Sequence, residues 1–170
     1  MNEDEAALTI KAAGDGLVTV RGRVYRAVFA QDRDAVLAGS DRPGRFTPPG
    51  HRTLYTSATA LGTRVALRPY TRPHDPERVV VALAVEADRI CDLRNREACR
   101  ALGFDAAEAA LPWRDWVARG AEPPSWAIVR MLLSQGVRGV IDPSRGQPGL
   151  FHLALFAWNA PGCPRVTIPR

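Results

Sequence analysis

A run of seven apolar residues, VVVALAV at Val79–Val85, constrains the fold of this chain more than any other feature of the sequence. A short apolar run that is rich in β-branched valine predicts a buried strand. Ile90–Leu93 continues the apolar pattern and is expected to extend the same sheet. The rest of the chain must therefore be arranged around a sheet that contains this strand.

Further strand and helix signals lie on both sides of this run. Apolar stretches rich in β-branched and aromatic residues predict other strands at Leu17–Phe29, Thr53–Ser57, Gly139–Ile141, Leu150–Phe156 and near Val166. Capping residues and helical spacing predict helices at Ala58–Leu67, Asn95–Leu102, Asp105–Leu111 and Pro124–Ser134. This mixture of strands and helices, with no linker long enough to divide domains, predicts a single α+β domain with flanking helices. The hairpin-length connections favour antiparallel pairing, so we expect a mixed or antiparallel sheet.

The composition is typical of one soluble globular domain. The chain has 170 residues, of which 46% are hydrophobic and 24% charged. Residues 1–16 are polar and are expected to form a flexible leader, so that the domain spans residues 17–170. No apolar run approaches the roughly 18–20 residues of a membrane span, and the acidic start lacks the order of a secretion signal. We therefore expect a cytoplasmic protein that does not contact a membrane.

Metal sites and nucleic-acid binding receive little support from the sequence. The three cysteines are odd in number and lack CxxC spacing, and the three histidines lack ligand spacing, so no metal is expected. The net charge is +5, but the basic residues are spread along the chain and only Lys11 is a lysine. No recognition motif accompanies them, so we expect no direct DNA binding by this chain alone. A basic nucleic-acid-binding module remains the weakest alternative.

Several short segments carry the functional information. The first predicted strand contains Tyr25-Arg26, and a loop with three prolines and three glycines at Gly39–Gly50 contains the sequence GRF. The sequence LYTS follows at Leu54–Ser57, DLRNREACRALGFD begins at residue 92, and GVIDPS at Gly139–Ser144 precedes LALF. Nucleotide-loop, zinc-protease and serine-hydrolase motifs are absent from the chain.

These segments, in this order, resemble the RES domain family, whose members are the toxins of bacterial RES–Xre toxin–antitoxin pairs. The resemblance covers residues 18–160, and it matches Arg26 and Ser144 to the family's Arg and Ser. Arg45 and Tyr55 match two further pocket residues. Taken singly, these residues are also typical of a surface arginine, a solvated loop arginine, a packing tyrosine and a turn serine.

The resemblance implies a fold akin to ADP-ribosyltransferases and cleavage of the nicotinamide–ribose bond of NAD, which is a substrate here. It implies that Arg26 and Arg45 bind phosphates, that Tyr55 stacks on nicotinamide and that Ser144 positions the ribose. Arg26, Tyr55 and Ser144 form the expected catalytic set. The implied partner is an Xre-family antitoxin. Whether water, phosphate or a protein accepts ADP-ribose stays open, as does a homodimer within the complex.

The sequence departs from the family at the third residue for which it is named, a Glu on the helix after the tyrosine. No Asp or Glu occurs between Asp41 and Asp75, and Ala66 or Leu67 is expected where that carboxylate would lie. Its loss is expected to slow NAD cleavage by roughly a hundred-fold or more unless another carboxylate, such as Glu77 or Glu86, replaces it. The alternative function is therefore a catalytically weak or silent RES domain that binds a nucleotide or a partner.

Overall fold

Seven strands and five α-helices make up the part of the chain that the computed structural model describes, residues 7–169. The strands are β1 (Thr9–Ala12), β2 (Val18–Phe29), β3 (Leu54–Ser57), β4 (Arg78–Asp92), β5 (Gly139–Pro143), β6 (Phe151–Leu155) and β7 (Arg165–Thr167). The helices are α1 (Ala60–Leu67), α2 (Arg96–Ala101), α3 (Ala106–Ala109), α4 (Trp113–Ala118) and α5 (Pro124–Ser134). Short 3-10 helices span Ala30–Ala35 and Arg68–Tyr70.

All seven strands belong to one mixed sheet, in the order β1-β2-β3-β6-β5-β4-β7. Since β2 also pairs with β4, the strands β2, β3, β6, β5 and β4 close into a ring, to which β1 and β7 are added. Only β4 and β5 run parallel among the described pairs. The predicted α+β domain with a mixed sheet is confirmed.

The longest pairing joins β2 to β4 and extends from Val18 opposite Ile90 to Phe29 opposite Arg78. The apolar run Val79–Val85 lies inside this pairing, as the sequence predicted. Alternate residues of the run, among them Leu83 and Val85, are fully buried. The strand therefore contributes one row of side chains to the hydrophobic interior.

Two hydrophobic cores lie on opposite faces of the strands. The first core is covered by helices and includes Val140 of β5, Ala154 of β6 and Leu132 of α5. The second core takes the next residues along the same strands, Ile141 and Leu153. Because successive side chains of a strand point to opposite faces, β5 and β6 need apolar residues at nearly every position.

The ends of the helices follow the capping residues. The Asn95 side chain accepts a hydrogen bond from the Ala98 amide at 3.1 Å, and Asp105 accepts one from the Ala107 amide at 2.9 Å. Thr59 accepts from the Gly62 amide at 2.9 Å, so α1 begins at Ala60 rather than at Ala58. Within the described part of the chain, no helix is long and apolar enough to cross a membrane.

The structure differs from the sequence-based expectations at two elements. Residues 9–12 lie in the segment expected to be a flexible leader, yet Thr9–Ala12 form β1 and pair with Val18–Arg21 of β2. Residues 9–12 are ordered because their backbone pairs with the edge of β2 at Val18–Arg21. Residues 1–6 of that segment lie outside the described residues. The helix α4, which buries none of its residues, was not predicted either.

Candidate active site

A row of polar side chains crosses three neighbouring strands on the face that carries the first core. Ser57 of β3 lies opposite His152 of β6, and His152 lies opposite Asp142 of β5. The next row on the same face contains Tyr55, Ala154 and Val140. The polar row therefore lies at the end of an apolar surface that the helices cover.

Ser57 and His152 are joined by a hydrogen bond of 2.8 Å between Oγ and Nδ1. Burial lowers the pKa of His152, with Asp142 raising it and Arg145 lowering it to a smaller extent. The imidazole is therefore favoured in its neutral form. No role was predicted for His152 from the sequence. The sequence does show it as the one polar residue of the otherwise apolar strand FHLAL.

The Tyr55 hydroxyl fixes the loop that carries Arg45. It accepts a hydrogen bond from the Phe46 amide at 2.9 Å and lies 2.8 Å from Thr47 Oγ1. A Cβ added to Gly44 would lie 2.9 Å from this hydroxyl, so the close approach of the loop requires glycine. Burial raises the pKa of Tyr55 to about 12. Tyr55 is therefore a half-buried, neutral side chain that holds the loop against β3.

Arg45 connects this loop to the end of α3. Its Nη1 donates to the carbonyl oxygens of Ala109, at 3.1 Å, and Leu111, at 2.6 Å. Burial is the main cause that lowers the pKa of Arg45, and the neighbouring Arg145 lowers it further. Nε and Nη2 make no hydrogen bond to the described residues, so they are available to an anion.

Arg26 lies beside Tyr25–Ser57, the single register pair that joins β2 to β3. Its Nη1 donates to the Tyr55 carbonyl at 3.4 Å, and its Nε is buried without a hydrogen-bond partner. Burial lowers the pKa of Arg26, and no carboxylate among the described residues lies within ion-pair distance of it. A half-buried cation with an unused donor and no counter-charge is suited to binding an anion.

Ser144 lies in the turn between β5 and β6. Its amide donates to the Leu150 carbonyl at 2.8 Å, and its Oγ accepts from the Gln147 amide at 3.3 Å. The turn packs against α1, since a Cβ added to Gly146 would lie 2.6 Å from Val65 Cγ1. Ser144 therefore shapes the turn, and its hydroxyl proton remains available to a ligand.

The structure joins three of the four predicted residues, although Arg26 lies opposite Val81 of the second core and so is on the other face of the sheet from the Tyr55 side chain. Arg26 contacts the Tyr55 backbone, and the loop carrying Arg45 is held by the Tyr55 hydroxyl. Ser144 lies two residues after Asp142. The charge of Asp142 interacts electrostatically with both Arg45 and Tyr55. No contact between Ser144 and the other three predicted residues is present among the described interactions.

The carboxylates considered as replacements for the missing Glu lie elsewhere. Glu86 is exposed on β4 and faces Arg21 at 3.9 Å, and Glu77 is exposed just before that strand. Ala66 and Leu67 of α1 are half-buried, and the buried positions of that helix are Gly62, Thr63 and Val65. The acidic residue at the polar row is Asp142, within the sequence GVIDPS, and no role was predicted for it. Its signal was a charge at the end of an apolar strand.

No cluster of three or more histidine, cysteine or acidic side chains that could hold a metal occurs among residues 7–169. The polar groups of the site are instead arginine guanidiniums, hydroxyls, one imidazole and one carboxylate. This set is suited to binding a phosphorylated organic molecule through charge-assisted hydrogen bonds.

The fold is an α+β domain whose ring of strands carries the row of polar side chains and two half-buried arginines. The family model described as the RES domain matches residues 22–170, and the chain belongs to the RES domain family. The comparison with curated proteins found no match. Among solved structures, the chain is similar to the M. tuberculosis MbcT–MbcA toxin–antitoxin complex, with 18% identity and a TM-score of 0.60. That likeness covers 90% of this chain and 85% of the other, and it supports the fold.

We predict that Tyr55→Phe lowers the free energy of unfolding by about 1–3 kcal/mol, because the Phe46 amide loses its acceptor in a part-buried place. The measurement is urea unfolding, with limited proteolysis of the Gly39–Gly50 loop as a second readout. Tyr70→Phe is the control, since that side chain is exposed. Equal stability of the Tyr55 and Tyr70 variants would contradict the role of the hydroxyl.

A second prediction concerns pH. The folded protein holds the pKa of His152 below its ordinary value of 6.5, so below that pH the unfolded chain binds a proton more readily than the folded chain does. His152 therefore costs stability as the pH falls below about 6.5. We expect His152→Gln to lose less stability than the wild type between pH 7 and pH 5, as measured by urea unfolding. Equally steep losses in the two proteins would show that the prediction is wrong.

Proposed function

We propose that this protein is the toxin of a toxin–antitoxin pair and that it cleaves the bond between nicotinamide and ribose in NAD. Membership of the RES family and the similarity to the toxin–antitoxin complex support the toxin role. The observation that carries the choice of substrate is the pair of half-buried arginines, Arg26 and Arg45, which both keep unused donors. Arg26 contacts the Tyr55 carbonyl, and the Tyr55 hydroxyl holds the loop that carries Arg45.

The two arginines suit the pyrophosphate of NAD. Guanidinium groups bind phosphate oxygens through paired, charge-assisted hydrogen bonds, which an ammonium group cannot reproduce. Arg26 has a buried Nε without a partner, and Arg45 keeps Nε and Nη2 while its Nη1 is held by two carbonyls. Both guanidiniums are therefore partly fixed before the substrate arrives, which reduces the entropy lost on binding.

Bond cleavage transfers the electron pair of the C1′–N1 bond to the nicotinamide nitrogen, which becomes neutral, and leaves a positive ribosyl group. This oxocarbenium-like state is comparable to that of glycoside hydrolysis. The acceptor, whether water, phosphate or a protein side chain, then bonds to C1′ and loses a proton. Because the Tyr55 hydroxyl is occupied by the loop, the ring of Tyr55 is the part that would stack on nicotinamide. Ser144 would donate its hydroxyl proton to the ribose or carboxamide.

The alternative is a silent RES domain that binds a nucleotide or a protein without cleaving NAD. The observation that favours it is the composition of α1, ALGTRVAL, which carries no acidic residue. A site without a carboxylate near the ribose would bind the phosphates but stabilise the ribosyl cation poorly. Nicotinamide release from NAD separates the two functions directly.

We predict that the wild type releases nicotinamide from NAD and that Arg26→Lys weakens NAD binding about ten-fold or more, since hydrogen bonds to charged groups contribute roughly 1.5–3 kcal/mol. Turnover is followed by chromatography of nicotinamide, and affinity by calorimetry. Arg21→Lys is the matched control, because Arg21 lies on the same strand in an exposed ion pair with Glu86. Unchanged affinity of the Arg26 variant would contradict the phosphate-binding role.

A further prediction concerns the partner. Expression of this chain alone should arrest bacterial growth and deplete NAD, and co-expression of an Xre-family antitoxin encoded beside it should restore growth. The two proteins should co-purify, with NAD turnover suppressed in the complex, and DNA binding should require the antitoxin. Growth without arrest and without NAD depletion, despite soluble expression, would contradict the toxin role.

A further inference from the structure

Asp142 is the one buried acidic residue among residues 7–169, with 6% of its surface exposed. Burying a carboxylate is costly unless the charge is paired and hydrogen-bonded. Asp142 ends the apolar part of β5 and is followed by Pro143, the last residue of the strand, after which the chain turns towards β6. A buried charge at a strand end, beside a site for an anionic substrate, needs an explanation.

Arg145 holds Asp142 in a fixed orientation. Nη1 of Arg145 donates to Oδ2 at 2.8 Å and Nη2 donates to Oδ1 at 3.0 Å, so the salt bridge is bidentate. Each carboxylate oxygen can accept two hydrogen bonds, so each keeps a lone pair after this contact. The Arg145 side chain is 38% exposed, so the pair lies between the interior and solvent. The carboxylate is therefore held in one orientation, and both of its oxygens can accept a further hydrogen bond.

The register of the sheet places this carboxylate in the candidate site. Asp142 lies opposite His152, which lies opposite Ser57, and Val140 and Tyr55 belong to the neighbouring row on the same face. The charge of Asp142 also interacts electrostatically with Arg45 and with Tyr55. A substrate with its phosphates on the arginines and its nicotinamide on the Tyr55 ring would bring its ribose towards this row.

We propose that Asp142, positioned by Arg145, is the carboxylate that stabilises the ribosyl cation during NAD cleavage. This inference rests on the proposed function and names the residue on which its chemistry depends. The C1′–N1 bond breaks, its electron pair remains on nicotinamide, and the positive charge on the ribosyl group faces Asp142. The carboxylate forms no covalent bond in this step. The acceptor then adds to C1′ and releases a proton to solvent.

A purely structural ion pair is the competing explanation, and the chain offers a matched control for it. Asp92 ends β4, the parallel neighbour of β5, and is held by Arg94 through hydrogen bonds of 2.8 and 2.7 Å. Asp92 lies opposite Ile141, whose side chain belongs to the second core, so it is on the other face from Asp142. Asp92→Asn therefore removes an equivalent ion pair from the face opposite Asp142.

The first measurement is nicotinamide release at saturating NAD for the wild type, Asp142→Asn and Asp92→Asn. Removal of one electrostatic stabiliser commonly costs on the order of 10²–10³ in rate, so we expect such a loss for Asp142→Asn. Asp92→Asn should stay within about three-fold of the wild type. Should Asp142→Asn fail to fold, the double variant Asp142→Asn/Arg145→Gln leaves no unpaired guanidinium and gives the same readout.

The second measurement does not require turnover. NAD carries a positive nicotinamide ring and NADH a neutral one, so a carboxylate beside the glycosidic bond favours NAD by attraction of opposite charges. We expect the wild type to bind NAD several-fold more tightly than NADH, and Asp142→Asn to lose that preference while Asp92→Asn keeps it. The dissociation constants are measured by calorimetry with a brief incubation, so that little NAD is consumed.

The outcomes separate this inference from the proposed function. Wild-type turnover that Asp142→Asn abolishes supports both, whereas equal turnover in the two proteins overturns the role of Asp142 and leaves NAD cleavage standing. Absence of wild-type turnover, together with a preference for NAD that Asp142→Asn removes, supports the placement of Asp142 and contradicts cleavage. Absence of both turnover and preference overturns both.

Discussion

The long antiparallel pairing of β2 with β4 is the interaction on which the rest of the structure depends. It closes the ring of five strands, and without it the order β1-β2-β3-β6-β5-β4-β7 would be an open sheet. Because both strands are long, each offers its free edge to two partners: β1 and β3 pair with β2, and β5 and β7 pair with β4. The strands β2 and β3 share only one register pair, Tyr25–Ser57, so the sheet opens between them beside Arg26.

Much of the fold was predictable because burial leaves a local signature in the sequence. Val79–Val85 and the strands β5 and β6 are apolar on both faces, and the caps Asn95 and Asp105 precede short helices. The strand β1 has no such signature: three of its four residues are exposed, and only the edge of β2 makes it a strand. The helix α4 buries none of its residues, so no apolar periodicity could predict it.

The site was predictable only in part, because its geometry depends on contacts between distant segments. The order of motifs selected Arg26, Arg45, Tyr55 and Ser144, but it could not show that the Tyr55 hydroxyl is occupied by the loop. The hydrogen bond between Ser57 and His152 joins residues 95 positions apart and follows from the register of β3 with β6. The register of β6 with β5 places Asp142 beside them, whereas the local sequence shows only a charge at the end of an apolar strand.

The distribution of charge over the site follows from these strand registers and suits the proposed reaction. NAD carries its pyrophosphate between the two riboses and would form the positive charge at C1′ of the nicotinamide ribose, so its site needs cations and a carboxylate kept apart. Arg26 lacks a carboxylate partner among the described residues, whereas Asp142 has Arg145. Without substrate, Arg145 offsets the cost of burying the Asp142 carboxylate through two hydrogen bonds. The bidentate contact leaves lone pairs on both oxygens, so the ion pair that makes burial tolerable also leaves the carboxylate able to face the positive charge of the proposed reaction.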